Sequence, residues 1–379
     1  MSEPTVLREG AGLGRSAEQE QFGAALHELL SGADVPGAAR AWAAGDRAPG
    51  YAVWQQLAGL GVTGLAVPER SGGLGAGPLD LVVACEELGH HALPGPVAES
   101  LGAVPQLLAG LLAAATEHPG PDGAGPDSAG PDSAGPDSAG PDSELAERCA
   151  GWLAALADGE LLGTLAAPPR LPYAVNTEAA GLVLLAEGGG TVWLAAPDTQ
   201  HQSVDGTRWL AEVHGTQLLA DGPVAARAVG QAVQFGTLAS AAQLLGAGRA
   251  LLETSVRHAS QRAQFGRPIG SFQAVKHQLA DVAVGLEFAR PLLDAAAVTA
   301  GHGWATAGRD VSAAKVACAD AAYRAARTAL QVHGAIGYTE EHDLSLWLAK
   351  VRALVAAWGS QAAHRAAVLA AVTGAGGAR

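Results

Sequence analysis

From about Ala232 onward the chain keeps a helical period with little interruption, and this constrains the fold more than any other feature. Apolar positions recur at three- and four-residue spacing through 237–262, 272–299, 310–334 and 341–372. Four long helices joined by short connections predict an antiparallel bundle. Apolar residues make up 49% of the chain but aromatics only 4%, so the helices are expected to close on one another through small faces. Alanine, the best helix former, supplies much of the apolar share. Pro291 falls inside the second helix and is expected to kink or split it. Gly246-Ala-Gly248 lies inside the first and is expected to permit close packing.

Upstream the texture differs. Residues 17–110 read as helices joined by short loops, with Phe22, Leu26, Leu29 and Leu30 at helical spacing and a second apolar face from Leu79 to Leu88. Between these lies a breaker-rich loop carrying Pro68, Gly72, Gly73 and Gly75. Residues 120–143 repeat Gly-Pro-Asp-Ser-Ala with period five. That composition cannot build a core or a helix, so it reads as a solvated loop spanning roughly 25 Å. Helix resumes at Glu144–Ala157. Leu182–Ala186 and Thr191–Ala195 read as strands joined through Gly188-Gly189-Gly190, with Val175, Trp209 and Val213 on neighbouring strands. The expected class is mainly α with a small β domain. An N-terminal helical domain (1–158, with a low-complexity loop at 119–143) precedes a small β domain (159–230) and a C-terminal four-helix bundle (231–379).

Lys and Arg number 23 against 37 Asp and Glu, a net charge of −14. An acidic chain without a basic cluster argues against nucleic acid as a partner. The three cysteines are scattered, as reduced thiols are. The first residues have no apolar segment of a secretory signal, and no apolar run reaches membrane-spanning length. These features predict a soluble cytoplasmic protein with no membrane partner. No metal-ligand spacing stands out, and His90-His91 reads as a pair without partners.

Two segments carry the chemistry. The first runs from Arg262 through Gln264, Phe265, Gly266, Pro268, Ile269 and Phe272 to Gln273; the second comprises Gln331, His333, Gly334, Ala335 and Gly337. Alone, Arg262 reads as a surface arginine at a helix C-terminus. With Phe265, Phe272 and Gln273 around it, its fixed fork of donors suits a pyrophosphate. Gly334 lets backbone N–H groups approach a ligand closely. His342 and Asp343 read as helix-start residues, and Glu340 and Glu341 as solvated turn residues.

Together these motifs resemble the flavin-holding motifs of acyl-CoA dehydrogenases. Gly64–Gly75, Glu86–Gly89, Leu93–Ser100 and Ser203–Arg208 are similar to further segments of that family. The resemblance covers most of the chain and implies FAD as cofactor. By it, Arg262, Gln264 and Phe265 face the adenosine-diphosphate half, Ile269, Phe272 and Gln273 line the same strip, and Gln331, Gly334 and Ala335 reach the FAD of a neighbouring subunit. It implies an oligomer, homo- or hetero-, and an acyl-CoA or carrier-bound acyl thioester as substrate; it does not name the electron acceptor.

The sequence departs from the family at the base. The usual glutamate precedes a Gly-Thr or Gly-Ser pair; here the pair is Gly359-Ser360 and Trp358 precedes it. A minority of the family takes its base from the start of the first bundle helix, and the matching Phe235–Ala239 contains no carboxylate. The family's Thr-Glu-Pro-x-x-Gly-Ser-Asp loop is replaced by Thr164–Tyr173. Three functions stay open: α,β-oxidation of an acyl thioester with an atypical base; a subunit that lacks the base and completes the FAD sites of a hetero-oligomeric acyl-CoA dehydrogenase; or altered chemistry on an activated acyl group.

Overall fold

A computed structural model describes residues 14–117, 141–339 and 342–374. The period-five repeat up to residue 140, and Glu340 with Glu341, lie outside the described residues. In chain order the elements are α1 (Ala17–Gly32), α2 (Val35–Ala43), α3 (Ala48–Gly59), α4 (Pro78–His90), α5 (Val104–Glu117), α6 (Pro141–Ala157), β1 (Gly163–Ala166), β2 (Ala174–Val175), β3 (Leu182–Glu187), β4 (Thr191–Gln202), β5 (Trp209–Ala220), α7 (Pro223–Gln261), β6 (Ala263–Gln264), β7 (Arg267–Pro268), α8 (Gln273–Gly301), α9 (Ala307–His333), α10 (Leu344–Ala356) and α11 (Gln361–Val372). The protein is mainly helical with one small mixed sheet. Its described residues fall into two compact units, one within Met1–Ala41, Gly77–Leu93 and Thr237–Arg379, the other within Trp42–Ala76 and Pro94–Gly236.

In the first unit α8 packs on α9, α10 and α11 pack on α9, and α4 packs on α1 and α8. The buried face of α9 is built largely of alanine, including Ala314, Ala322, Ala325 and Ala329. Small side chains let the axes approach, and glycine takes this furthest where α4 crosses α7. A Cβ on Gly246 would lie 1.8 Å from the Glu86 carbonyl oxygen, and one on Gly89 would lie 2.2 Å from that of Gln243. The close packing expected of Gly246 is therefore a backbone-to-backbone crossing. Gly248 instead makes room for a side chain: its Cβ would lie 2.7 Å from Leu286 Cδ2 and 3.3 Å from Ala322 Cα.

Four helix expectations need correction. α6 starts at Pro141, inside the 120–143 repeat that was expected to hold no helix, with proline in the first turn where its missing N–H costs nothing. α8 continues through Pro291 as one 29-residue helix, so the proline does not split it; Ala289 and Leu293, buried on either side, keep both halves in the bundle wall. α7 begins at Pro223, well before 237, with proline in the first turn where its missing N–H costs nothing. The fourth helix is two. Ala357 is extended, and Trp358 (φ 61) and Gly359 (φ 102) are left-handed. Ser360 then restarts the helix as N-cap, its side chain accepting from the Ala363 N–H.

The second unit holds a five-stranded sheet of order β1-β3-β4-β5-β2. β1 and β3 pair in parallel, and the other pairs are antiparallel. The expected β3–β4 hairpin forms through Gly188–Gly190, and Val175 and Trp209 fall on neighbouring strands as expected. Edge strands β1 and β2 meet where the Val175 N–H donates to Thr164 Oγ1 at 2.9 Å. Buried Asn176, left-handed at φ 53, ties this edge to the 203–208 segment: its amide donates to the Thr207 carbonyl and its Oδ1 accepts from the Trp209 N–H. Trp54 is fully packed, its Nε1 donating to the Pro94 carbonyl at 3.0 Å.

Candidate functional site

The first candidate segment follows directly from the end of α7. The Arg262 N–H closes the last turn on the His258 carbonyl, and the Ile269 N–H returns to the Arg262 carbonyl at 2.8 Å. Between them β6 and β7 form a tight hairpin whose two turn residues, Phe265 (φ 52) and Gly266 (φ 77), are both left-handed, the geometry that matches strand twist. A phenylalanine held there is strained and 91% exposed. Its ring stands edge-on to Phe272, centroids 6.2 Å apart, and the Arg267 guanidinium lies 4.1 Å over the Phe272 ring. Arg262, Gln264 and Gln273 are exposed; Ile269 and Phe272 are half-buried. The Arg262 guanidinium makes no hydrogen bond or ion pair among the described residues.

The second patch caps α9. Gly334 takes φ 64 and ψ −137, and no described residue stands within 4 Å of where its Cβ would be. Gln331, Gly334 and Ala335 are exposed. Gln331 and Gly334 close one end of an open groove of about 980 Å³ along α9, which also contains Asp320, Tyr323, Arg324 and Arg327. Sequence reasoning missed these arginines. The signal was present: 320, 324, 327, 331 and 334 advance by alternating fours and threes, one helix face. Arg267 was also missed, because its role depends on the hairpin returning it to Phe272.

His258 and His333 bring the ends of α7 and α9 together, their rings 4.2 Å apart, with His342 5.3 Å from His333. His333 Nδ1 lies 2.8 Å from the Ala329 carbonyl, and its buried Nε2 has no hydrogen-bond partner among the described residues. Burial, with the neighbouring imidazoles, holds His333 below its ordinary range despite the bond to Ala329. His342 starts α10 as expected: its Nδ1 accepts from the Leu344 N–H. Asp343 does not cap with its side chain, which pairs with Arg40 instead.

Trp358 is 1% exposed and packed in the bundle. Its carbonyl lies 2.9 Å from His364 Nε2, and His364 Nδ1 lies 3.2 Å from Ser312 Oγ. Thr237, Leu238 and Ala239, at the alternative base position, are buried in α7. Lys315, also buried, donates to Ser240 Oγ and to the Leu354 carbonyl, fixing the end of α10 just before Trp358. In the second unit, Thr164–Tyr173 turns back on itself through the Ala167–Leu171 bridge.

A further cluster was not legible. His90-His91, expected without partners, has several. His91 Nε2 lies 3.2 Å from His27 Nδ1, which lies 3.1 Å from Glu87 Oε2, while His90 Nε2 meets Glu253 Oε2 at 3.0 Å. Burial, then the His90 and His27 rings, pushes His91 down to about 3. Beside it, fully buried Glu86 accepts from Arg15, Arg249 and Arg290 at 2.7–3.1 Å. Burial alone would raise this carboxyl; Arg15, Arg290 and Arg249 outweigh it and hold it below its ordinary range.

Comparison with known proteins agrees with this architecture. Residues 16–118 match the acyl-CoA dehydrogenase N-terminal domain and residues 226–373 the acyl-CoA dehydrogenase C-terminal domain. Acyl-CoA dehydrogenase IpdE2 of Mycobacterium tuberculosis is 31% identical over 334 residues, 87% of this chain and 89% of its own. The ChsE4-ChsE5 complex from Mycobacterium tuberculosis has a similar fold, with TM-score 0.74 at 22% identity over 96% of this chain and 99% of that one. A variant of the Tcur3481-Tcur3483 steroid ACAD also gives 0.74, at 20% identity over 97% and 100%. With one relative matched along nearly its whole length and both terminal domains recognised, the chain belongs to the acyl-CoA dehydrogenase family.

Proposed function

We propose that the protein is one subunit of a two-component, flavin-dependent acyl-CoA dehydrogenase. In this reading it helps to hold FAD and leaves abstraction of the thioester α-proton to a related subunit that carries the carboxylate. The observation behind it is Trp358: the position the family gives to its base holds a buried indole, and Thr237–Ala239 at the alternative position has no carboxylate either. A general base contributes about 10²–10⁴-fold, so a chain without one is a poor catalyst alone. The paired names of the Tcur3481-Tcur3483 and ChsE4-ChsE5 neighbours support the two-component reading.

The residues on the two strips fit FAD. Arg262, with no described partner of its own, offers a planar fork for a pyrophosphate. Phe265 exposes a flat apolar face that a planar ring system would cover. Gln264, Ile269, Phe272 and Gln273 complete that strip, and Gly334, open at its Cβ position, admits a ligand to the backbone beside Gln331 and Ala335. Bound FAD would supply the hydride acceptor; the residues of this chain bind and orient it.

The test is an anaerobic titration with a panel of acyl-CoAs, following the visible flavin band. It is run on the chain alone and on the chain co-expressed with a related subunit bearing a carboxylate where this one has Trp358. Bleaching only in the co-expressed complex is expected. Bleaching by the chain alone refutes the proposal and returns the reading of an unrecognised base. Flavin that stays oxidised in both refutes it in favour of altered chemistry. Arg262→Ala is expected to lose flavin; full occupancy in that variant would remove the anchor role.

A further inference from the structure

The four-residue cluster His27, Glu87, His90 and His91 has no place in the flavin reading. One atom from each residue lies within 4.8 Å of all the others. The closest pairs, His27 Nδ1 to Glu87 Oε2 at 3.1 Å and His27 Nδ1 to His91 Nε2 at 3.2 Å, put one nitrogen beside two groups that compete for it. Ligands about 2.0–2.1 Å from a tetrahedral zinc ion stand roughly 3.3 Å apart, close to both separations.

The surroundings are arranged as a metal site requires. Glu253 holds His90 Nε2 at 3.0 Å, while His90 Nδ1 is buried without a hydrogen-bond partner among the described residues. A carboxylate on one imidazole nitrogen, with the other nitrogen free, is the orienting arrangement of metal-bound histidine. Arg249 fixes Glu87 from the far side, donating to Oε1 at 2.8 Å and leaving Oε2 toward the cluster. The His27 side chain is 45% exposed and borders an open groove of about 490 Å³ that also reaches Glu87 and Glu253, which provides entry.

We infer that His27, Glu87, His90 and His91 form a structural site for a borderline divalent ion of the zinc and cobalt class. It is four-coordinate and closed, and it staples α1 to the end of α4. Three imidazoles and one carboxylate suit such an ion over magnesium or calcium, which take oxygen. All four ligands come from this chain, so the inference is independent of any partner subunit and of flavin content.

The purified protein, stripped with a chelator, is titrated with Co²⁺ and then with Zn²⁺. The expected result is one equivalent of cobalt with the intense visible absorption of tetrahedral coordination, displaced by one equivalent of zinc, and a zinc-dependent rise in the melting temperature. His27→Asn changes a half-exposed surface side chain and is expected to lose the cobalt spectrum and the melting shift while keeping the fold. His91→Ala is expected to do the same, and His214→Ala, on β5, is expected to change neither. Absence of a stoichiometric cobalt spectrum in the wild-type chain overturns the inference, as does an unchanged spectrum in His27→Asn.

Discussion

Gly246→Ala isolates the contact on which the α4–α7 crossing depends. The added Cβ would sit 1.8 Å from the Glu86 carbonyl oxygen and 2.7 Å from the His90 nitrogen. An ordinary carbon–oxygen approach is about 3.3 Å, so the helices must separate by roughly 1.5 Å. A gap of only about 0.5–1 Å already forfeits a quarter to a half of the dispersion well. Both neighbours are backbone atoms, so no side chain can swing aside. Overpacking typically costs about 1–3 kcal/mol, and this site belongs at or above the top of that range. The helix-propensity gain of about 0.8–1 kcal/mol recovers part of it, for a net loss of about 2 kcal/mol or more. At about 2 °C per kcal/mol for a chain of this size, the melting temperature should fall by ~4 °C or more. Gly230→Ala is the control: it lies in the same helix, exposed, with no described residue within 4 Å of its Cβ position. It should stabilise by about 0.4–1 kcal/mol. Paired thermal melts decide the matter, and the reasoning fails if the two variants melt together.

Two further perturbations address the buried polar groups. Glu86→Gln leaves three guanidinium groups facing a neutral amide and should cost about 3 kcal/mol, the low end for a broken buried pair because the arginines are partly exposed. Glu86 is depressed in the folded protein, so its contribution is present above the ordinary value of 4.5 and lost as pH falls through the folded value; Glu86→Gln should therefore flatten the acid limb of a melting-temperature profile below about pH 4.5, and an unchanged limb would show that the arginines do not act on this carboxylate. Asn176→Ala removes the two side-chain bonds that join the end of β2 to Thr207 and to the start of β5 at Trp209, and places alanine at φ 53; a loss of about 2–4 kcal/mol in urea unfolding is expected, and a loss under about 1 kcal/mol would contradict the role given to Asn176.

What the sequence made legible, and what it did not, follows the range of the interaction concerned. Helical period and the glycine hairpin at 188–190 are local patterns, and the bundle helices and the β3–β4 turn appear where they were expected apart from their bounds and the break at Trp358. The break in the last helix was also written locally, in Gly359 followed by the N-cap Ser360, but it was masked by apolar period continuing on both sides. Trp358 in a left-handed conformation carries no sequence signal, because only its surroundings force that backbone. The arginine face of α9 was local too, yet its arginines stand out only beside Gln331 and Gly334 in the groove. The histidine cluster is the opposite case. His27 and His91 are 64 positions apart, a spacing that belongs to no ligand motif, and they meet because α1 packs on α4, while Gly89 and Gly246 let α4 lie against α7, where His90 meets Glu253. The glycines that permit the crossing thus also fix where His90 and Glu253 meet. Gly246→Ala should therefore disturb His90, itself one of the four proposed ligands, so that a cobalt spectrum altered in Gly246→Ala but intact in Gly230→Ala would tie the crossing to the cluster, and a spectrum unaltered in both would separate them.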